Sequence, residues 1–318
     1  MRTAVVVGSG VAGLTVAWEL QDRGWKVHIY ADRILERTTS FLAAAVWYPT
    51  SVGPRTNVFR WGSATFDTFE QLARQGVPGV VMRESLALYR EEPGRPWWTE
   101  AIRSVRPARL DELPCGYSHG LRYTVPLTEM PVYLPWLTTR VLERGGIVTR
   151  QRLNGLSDVG SLGDAIINCA GLGARSLAAD SAVFPIRGQV VRVTNPGLRM
   201  SIRDESHPGG RTYVHPRRDD VICGGTAEEG VWDERPSADT SCQILQRCIG
   251  LAPQLSEAKV IEELAGLRPA RPSVRVEKGR ELLDGAPVFH NYGHGGAGIT
   301  LSWGCARQVS DLVEDTFR

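Results

Sequence analysis

The 318-residue sequence predicts an α/β fold. The expected architecture is a Rossmann-like dinucleotide-binding domain, discontinuous in sequence, with an inserted antiparallel-sheet domain. Three observations predict it. A strand, a glycine turn, a helix and a second strand occupy the first 32 residues. Residues 186–231 alternate short apolar runs with turn residues, as antiparallel strands do. A second glycine cluster, residues 293–298, stands between a strand and a helix at the far end of the chain.

The elements follow in order. Thr3–Val7 is a β-branched apolar run, hence a buried strand. After Gly8-Ser9-Gly10-Val11-Ala12-Gly13, the residues Leu14, Ala17, Trp18 and Leu20 mark an amphipathic helix that stops near Gly24. Residues 26–30 form the second strand, ending at Ala31-Asp32-Arg33. Residues 55–130 mix helical segments, such as 63–75, with short strands and prolines. Residues 130–144 read as a helix stopped by Gly145-Gly146, and residues 147–153 and 165–169 as strands. Strands are then expected at 188–193, 212–215 and 221–225, and a helix at 238–250. A last strand at 288–292 precedes a helix at 299–316. These elements assign 1–55, 130–185 and 260–318 to the nucleotide domain, and 56–129 and 186–259 to the inserted domain.

Composition narrows the function. Apolar residues make up 42% and charged residues 23%, which excludes a disordered chain. Basic and acidic residues nearly balance, 37 against 35, so no nucleic acid or anionic membrane is expected as a partner. Only Lys26, Lys259 and Lys278 are lysines, a bias toward arginine that obliges each arginine to be judged by its context. The longest apolar run, residues 41–48, is far short of the ~20 residues of a membrane span. Neither a secretion signal nor a C-terminal targeting tripeptide is read, and a cytoplasmic location is expected. Cys115, Cys169, Cys223, Cys242, Cys248 and Cys305 form no C-x-x-C pair; they read as small buried hydrophobes, and no metal site is expected. Glycine is the outlier, at 34 of 318 or about 11% against a norm near 7%.

Gly8, Gly10 and Gly13 make G-x-G-x-x-G between a strand and a helix. Gly8 permits the tight turn, Gly10 lets a pyrophosphate reach the backbone, and Gly13 allows close helix–strand packing. The helix start offers free N–H groups and partial positive charge to phosphates. Asp32, 19 residues after Gly13, is placed to accept from a ribose. The pattern itself does not separate FAD from NAD. The second glycine cluster favours FAD, because a helix starting near Ala297–Thr300 could stabilise negative charge on a reduced flavin.

In these and further motifs the chain resembles the D-amino acid oxidases of the glutathione-reductase-like flavoproteins. The resemblance spans nearly the whole chain. It rests on residues 6–14 and 30–33, on Ala44-Ala45-Val46-Trp47-Tyr48-Pro49, on Ile167-Asn168-Cys169-Ala170-Gly171 and on Arg187-Gly188-Gln189. Two further motifs, residues 266–272 and Asn291-Tyr292-Gly293-His294-Gly295-Gly296 continuing to Cys305, are the most specific. The resemblance implies non-covalent FAD, hydride transfer from the substrate α-carbon to flavin N5, and hydrolysis of the imino acid to a 2-oxo acid and ammonia. Molecular oxygen would then reoxidise the flavin to give hydrogen peroxide.

The resemblance also implies roles for residues. Arg268 would clamp the substrate carboxylate, Tyr213 would donate to it, and the Gly296 carbonyl would accept from the amine. Tyr48 and Val46, with Trp232, would wall the pocket. The cofactor would meet Gly8, Gly10, Val11, Ala12 and Gly13, then Asp32, Arg33, Thr38 and Thr39, then Ala44, Ala45 and Trp47. Ala170 and Gly171, and Gly293, Gly295, Gly296, Ala297, Gly298, Ile299 and Thr300, complete that set. A guanidinium suits a carboxylate because it presents two parallel donors. Hydride transfer needs alignment and no side-chain acid or base at the α-carbon, so no catalytic acid or base is expected.

The match departs at two positions. Ala227 and Gly209 stand where some relatives carry a second tyrosine, and a D-aspartate-oxidising branch places an arginine near Ala227. Neutral or basic D-amino acids are therefore the expected substrates, although Arg211 and Arg217 could compensate. His215 and His294 are expected to serve local hydrogen bonding. Gly224-Gly225, like Gly145-Gly146, reads as a turn. Three other flavin readings stay open: oxidation of glycine, sarcosine or a specialised metabolite, a carrier-linked D-amino acid dehydrogenase, and a non-catalytic flavoprotein. A homodimer is compatible with all of them.

Overall fold

A computed structural model describes residues 1–49 and 52–318. Strands β1 (Thr3–Val7), β2 (Lys26–Ala31), β3 (Val80–Tyr89), β4 (Val105–Pro107), β5 (His119–Thr128), β6 (Ile147–Arg150) and β7 (Ala165–Asn168) come from the first half of the chain. Strands β8 (Phe184–Thr194), β9 (Ser201–Asp204), β10 (Thr212–Pro216), β11 (Asp220–Gly224), β12 (Glu228–Glu229), β13 (Val260–Leu283) and β14 (Ala286–His294) follow. One hydrogen-bonded path runs β4-β5-β3-β9-β10-β11-β8-β13-β14-β7-β1-β2-β6, with β12 paired to β8. From β14 to β6 the pairings are parallel, and from β5 to β14 they are antiparallel except between β3 and β9.

The parallel strands need helices on both faces. Within β1, Ala4 and Val6 enter one core cluster while Val5 and Val7 enter another. Helix α1 (Val11–Asp22) covers the first face. Helix α2 (Arg55–Arg74), α3 (Met130–Glu143), the short α4 (Ala174–Leu177), α5 (Ala238–Leu251) and α6 (Gly298–Phe317) complete the helices. Trp18 of α1 stacks on Trp136 of α3, centroids 5.8 Å apart, and meets the edge of Trp303 in α6.

The largest departures from the sequence expectation are at α2 and β13. Helix α2 begins eight residues before the expected 63, and it packs on α6 although the expected boundaries put it in the inserted domain. Gly304 makes that packing possible: a methyl group there would overlap the Trp61 backbone, and the Gly304 N–H donates to Thr65 Oγ1 at 2.9 Å. Strand β13 was not anticipated, because charges and two prolines hide its alternation. Residues 260–270 pair with β8, and residues 270–283 pair with β14, with a register shift between Ala270 and Arg275. Pro269 and Pro272 lie at the changeover, Pro269 opposite Pro185 of β8 and Pro272 within the register shift toward β14. Of the six free cysteines, Cys169, Cys223, Cys248 and Cys305 are buried as expected, but Cys115 and Cys242 are exposed.

Three histidines lie inside the sheet. His215 of β10 and His290 and His294 of β14 are buried, and burial lowers each from 6.5, His294 to about 4. The unfolded chain therefore binds more protons below about pH 6.5, so stability is full above that pH and is lost as pH falls toward 4. Urea unfolding is expected to show a lower midpoint at pH 5 than at pH 7, with His294→Gln losing less; equal losses would show that His294 is not responsible. Gly304→Val is expected to cost ~1–3 kcal/mol through overpacking against α2. An unchanged thermal midpoint would remove that contact from the fold's requirements.

Candidate active site

The carboxyl ends of β1, β2, β7 and β14 open onto one cleft of about 990 Å³. A crevice at this edge is where open α/β sheets bind ligands. At one end Gly8 turns the chain at φ +111°, and a methyl group there would stand 2.5 Å from the Cys169 carbonyl oxygen. Gly10 faces Ser40, whose hydroxyl accepts from the Val11 N–H at 3.0 Å and so caps α1. Ser40 was not singled out in the sequence, because nothing local ties it to a helix that begins 29 residues earlier. Val11 and Ala12 line the cleft at that helix start. Gly13 does not: a methyl group there would overlap the Gly8 carbonyl, so its task is packing beneath the turn.

Asp32 and Arg33 line the cleft just past β2. Arg33 is joined to Glu234 by two bonds of 2.7 and 3.1 Å, which ties the cofactor edge to residues 226–237. Thr38 and Thr39 also line it, with their hydroxyls donating to the Leu35 and Leu267 carbonyls. Ala44, Ala45, Val46 and Tyr48 follow. Trp47 corrects the sequence expectation. It is buried on the opposite side of this extended segment, donates to the Gly62 carbonyl at 3.0 Å and meets the edge of Phe66. Val46 and Tyr48 on either side of it face the cleft, and Trp47 between them points away.

Ala170, Gly171, Gly295, Gly296, Gly298, Ile299 and Thr300 form the far wall. Gly293 and Ala297 do not reach it. Gly293 has φ +83° and a methyl group there would lie 2.8 Å from the Arg271 Cβ, so it serves packing against β13. Ala297 is fully buried. The Thr300 hydroxyl accepts from the Tyr48 N–H at 3.1 Å and donates to its carbonyl at 3.2 Å, so it braces the wall. Asn291 lines the cleft with a buried Nδ2 that has no partner among the described residues. That orphan donor, the two helix starts and the volume fit a dinucleotide cofactor with room for a small substrate.

The substrate end is built on one face of the antiparallel strands. Arg203, Tyr213, Gly224 and Val190 lie opposite one another on β9, β10, β11 and β8. Residues in such a row share a face. The Tyr213 ring lies over Gly224, where a methyl group would overlap it. Gly224 is therefore a strand residue cleared for an aromatic ring, which corrects the turn expected at Gly224-Gly225. The Arg268 guanidinium lies the same way over Gly188. It donates to the Thr226 carbonyl at 3.0 Å and has no carboxylate partner among the described residues. His215 stacks on Tyr213 at 4.8 Å. Burial raises the Tyr213 hydroxyl, which stays a neutral donor.

Arg203, Glu205 and Arg211 also line this end and were not identified as site residues together. Arg203 and Glu205 are two apart on or beside a four-residue strand, too short to announce a face. Trp232 stands at the mouth, 54% exposed. Its segment is pinned by the buried Arg187, which contacts Glu228 at 2.5 Å and donates to the Asp233 and Arg235 carbonyls.

Comparison with known proteins agrees with this geometry. A family model described as FAD dependent oxidoreductase matches residues 3–312. A D-amino-acid oxidase of Rubrobacter xylanophilus is 48% identical over 311 residues, 98% of this chain and 95% of that protein. A D-aspartate oxidase of Homo sapiens is 37% identical over 326 residues, 98% of this chain and 94% of that protein. The solved glycine oxidase of Geobacillus kaustophilus shares the fold, with a TM-score of 0.83 over 99% of this chain and 95% of that one at 21% identity. Matched along nearly its whole length, with a cleft shaped for the same cofactor, the chain belongs to the FAD-dependent oxidoreductase family.

Proposed function

We propose that this protein oxidises D-amino acids to imino acids, which hydrolyse to 2-oxo acids and ammonia, with molecular oxygen as the final acceptor. One observation carries the reading. Arg268, with no carboxylate partner among the described residues, lies flat on Gly188 near Tyr213, inside the cleft that fits FAD. A guanidinium held with an open edge is a receptor for a carboxylate. FAD, when bound, supplies the two-electron acceptor for the α-hydrogen.

The chain's own residues bind and orient. Arg268 takes the α-carboxylate, and Tyr213 donates a second hydrogen bond to it. The Gly296 carbonyl accepts from the amine, which leaves the α-carbon fixed at two of its substituents. Such fixing is the main contribution a protein makes to a transfer that needs no side-chain base. His294 fits no proton-transfer role: burial holds it at about 4 and its Nε2 meets Asn291 Oδ1 at 3.1 Å. Helix α6 directs its partial positive end toward the cleft at Gly298, Ile299 and Thr300, which favours charge on a reduced cofactor. We read the parallel half as the discontinuous FAD-binding domain and the antiparallel half as the inserted substrate domain, with β13 common to both.

Peroxide release from a panel of D- and L-amino acids tests the reading. The FAD-bound protein is expected to turn over D-isomers, and a holoenzyme silent toward every D-isomer would overturn it. Arg268→Ala is expected to lower kcat/KM by at least ~2 kcal/mol, about 30-fold, because a charge-assisted pair is lost. Gly188→Ala is expected to lower kcat/KM with FAD content unchanged, since the added methyl lifts the guanidinium off its seat. Wild-type kinetics in that variant would show that the seat does not matter.

A further inference from the structure

We propose that the side-chain end of the pocket is a carboxylate subsite built on Arg203, and that the preferred substrates are acidic D-amino acids. The inference rests on the D-amino acid reading above and adds the substrate's side-chain class.

Arg203 is paired across the sheet with Tyr213, so it stands beside the α-carboxylate clamp on the same face. Its guanidinium lies 3.4 Å from the centroid of the Tyr48 ring, and Tyr48 also lines the cleft. The stack fixes the cation's orientation. The side chain is nine-tenths buried, yet its Nε and Nη1 have no partner among the described residues. Among the described residues its one carboxylate contact is Glu205 at 3.4 Å, and Glu205 is shared with Arg211 at 3.0 Å. Two cations against one anion leave a unit of positive charge at this end of the cleft. A buried cation short of acceptors is costly, and a ligand carboxylate would satisfy it.

A neutral side chain offers that site nothing, and a basic one brings like charge to it. This revises the expected preference for neutral or basic substrates. That expectation rested on Ala227, which is exposed and does not line the cleft. It also weighed Arg217, which is fully engaged by Asp220 at 2.5 and 2.7 Å, outside the cleft. Of the two relatives named above, one is a D-aspartate oxidase by name and the other's name states no side-chain class, so the pocket itself is the deciding observation.

The test uses the FAD-bound protein. D-Aspartate and D-glutamate are expected to exceed D-alanine and D-valine in kcat/KM, and D-arginine is expected to be the poorest. Arg203→Met is expected to lower the acidic-to-neutral ratio by at least ~10-fold, the loss of one charge-assisted pair. Malonate and propionate serve as unreactive probes, followed by the change each makes in the flavin absorption spectrum. Malonate is expected to bind more tightly than propionate, Arg203→Met is expected to erase the difference, and Glu205→Gln is expected to widen it by removing the competing carboxylate. Turnover of D-alanine and D-valine without an acidic preference, and a malonate preference untouched in both variants, would overturn the subsite and leave the parent reading intact. Silence toward every D-amino acid would overturn the parent reading, and the malonate titrations would still decide the subsite. If Arg203→Met fails to bind FAD, the Glu205→Gln titration decides it.

Discussion

The site depends on a single shared strand. β13 pairs with β8 over its first half and with β14 over its second, so it joins the antiparallel strands to the parallel ones. Arg268 lies close to the changeover, and β14 runs from it into the glycine wall and α6. Arg268 pairs with Ile186 of β8, and two residues later Ala270 pairs with His294 of β14, so the ladders hold Arg268 at a fixed place relative to the glycine wall. A loop could not supply that, because a group must be held to within a fraction of an ångström to align a transfer.

Glycine does a second job beyond turning the chain. At Gly8 and Gly293 the backbone conformation itself favours glycine. At Gly188 and Gly224 no positive φ calls for glycine, and the requirement is room for a side chain lying flat on the sheet. The same logic at Gly304 brings two helices together. The excess of glycine thus divides among turning, seating side chains and helix packing.

Electrostatics separates the two ends of the cleft. The end of the cleft beside β1 and β2 is lined by the start of α1, the glycine turn and Asp32. The substrate end concentrates guanidinium groups, and its histidines are neutral because burial disfavours their charged form. In the proposed reading, binding and orientation are done by permanent charges and neutral donors.

The sequence by itself determined the β1–α1–β2 unit, the long helices and the strands of the parallel half, because hydrophobic period and glycine punctuation are local signals. Motifs that run along contiguous residues also pointed to Arg268, Tyr213 and most of the other residues that line the cleft. The tertiary structure decided what depends on pairing across distance. It turned Trp47 into the core, took Gly13, Gly293 and Ala297 off the cleft, and set Ser40 on the cap of α1. It also placed Arg203 beside Tyr213 and moved Ala227 out of the pocket. Those outcomes follow from strand register, and register is fixed by which strands meet, something that no stretch of consecutive residues records.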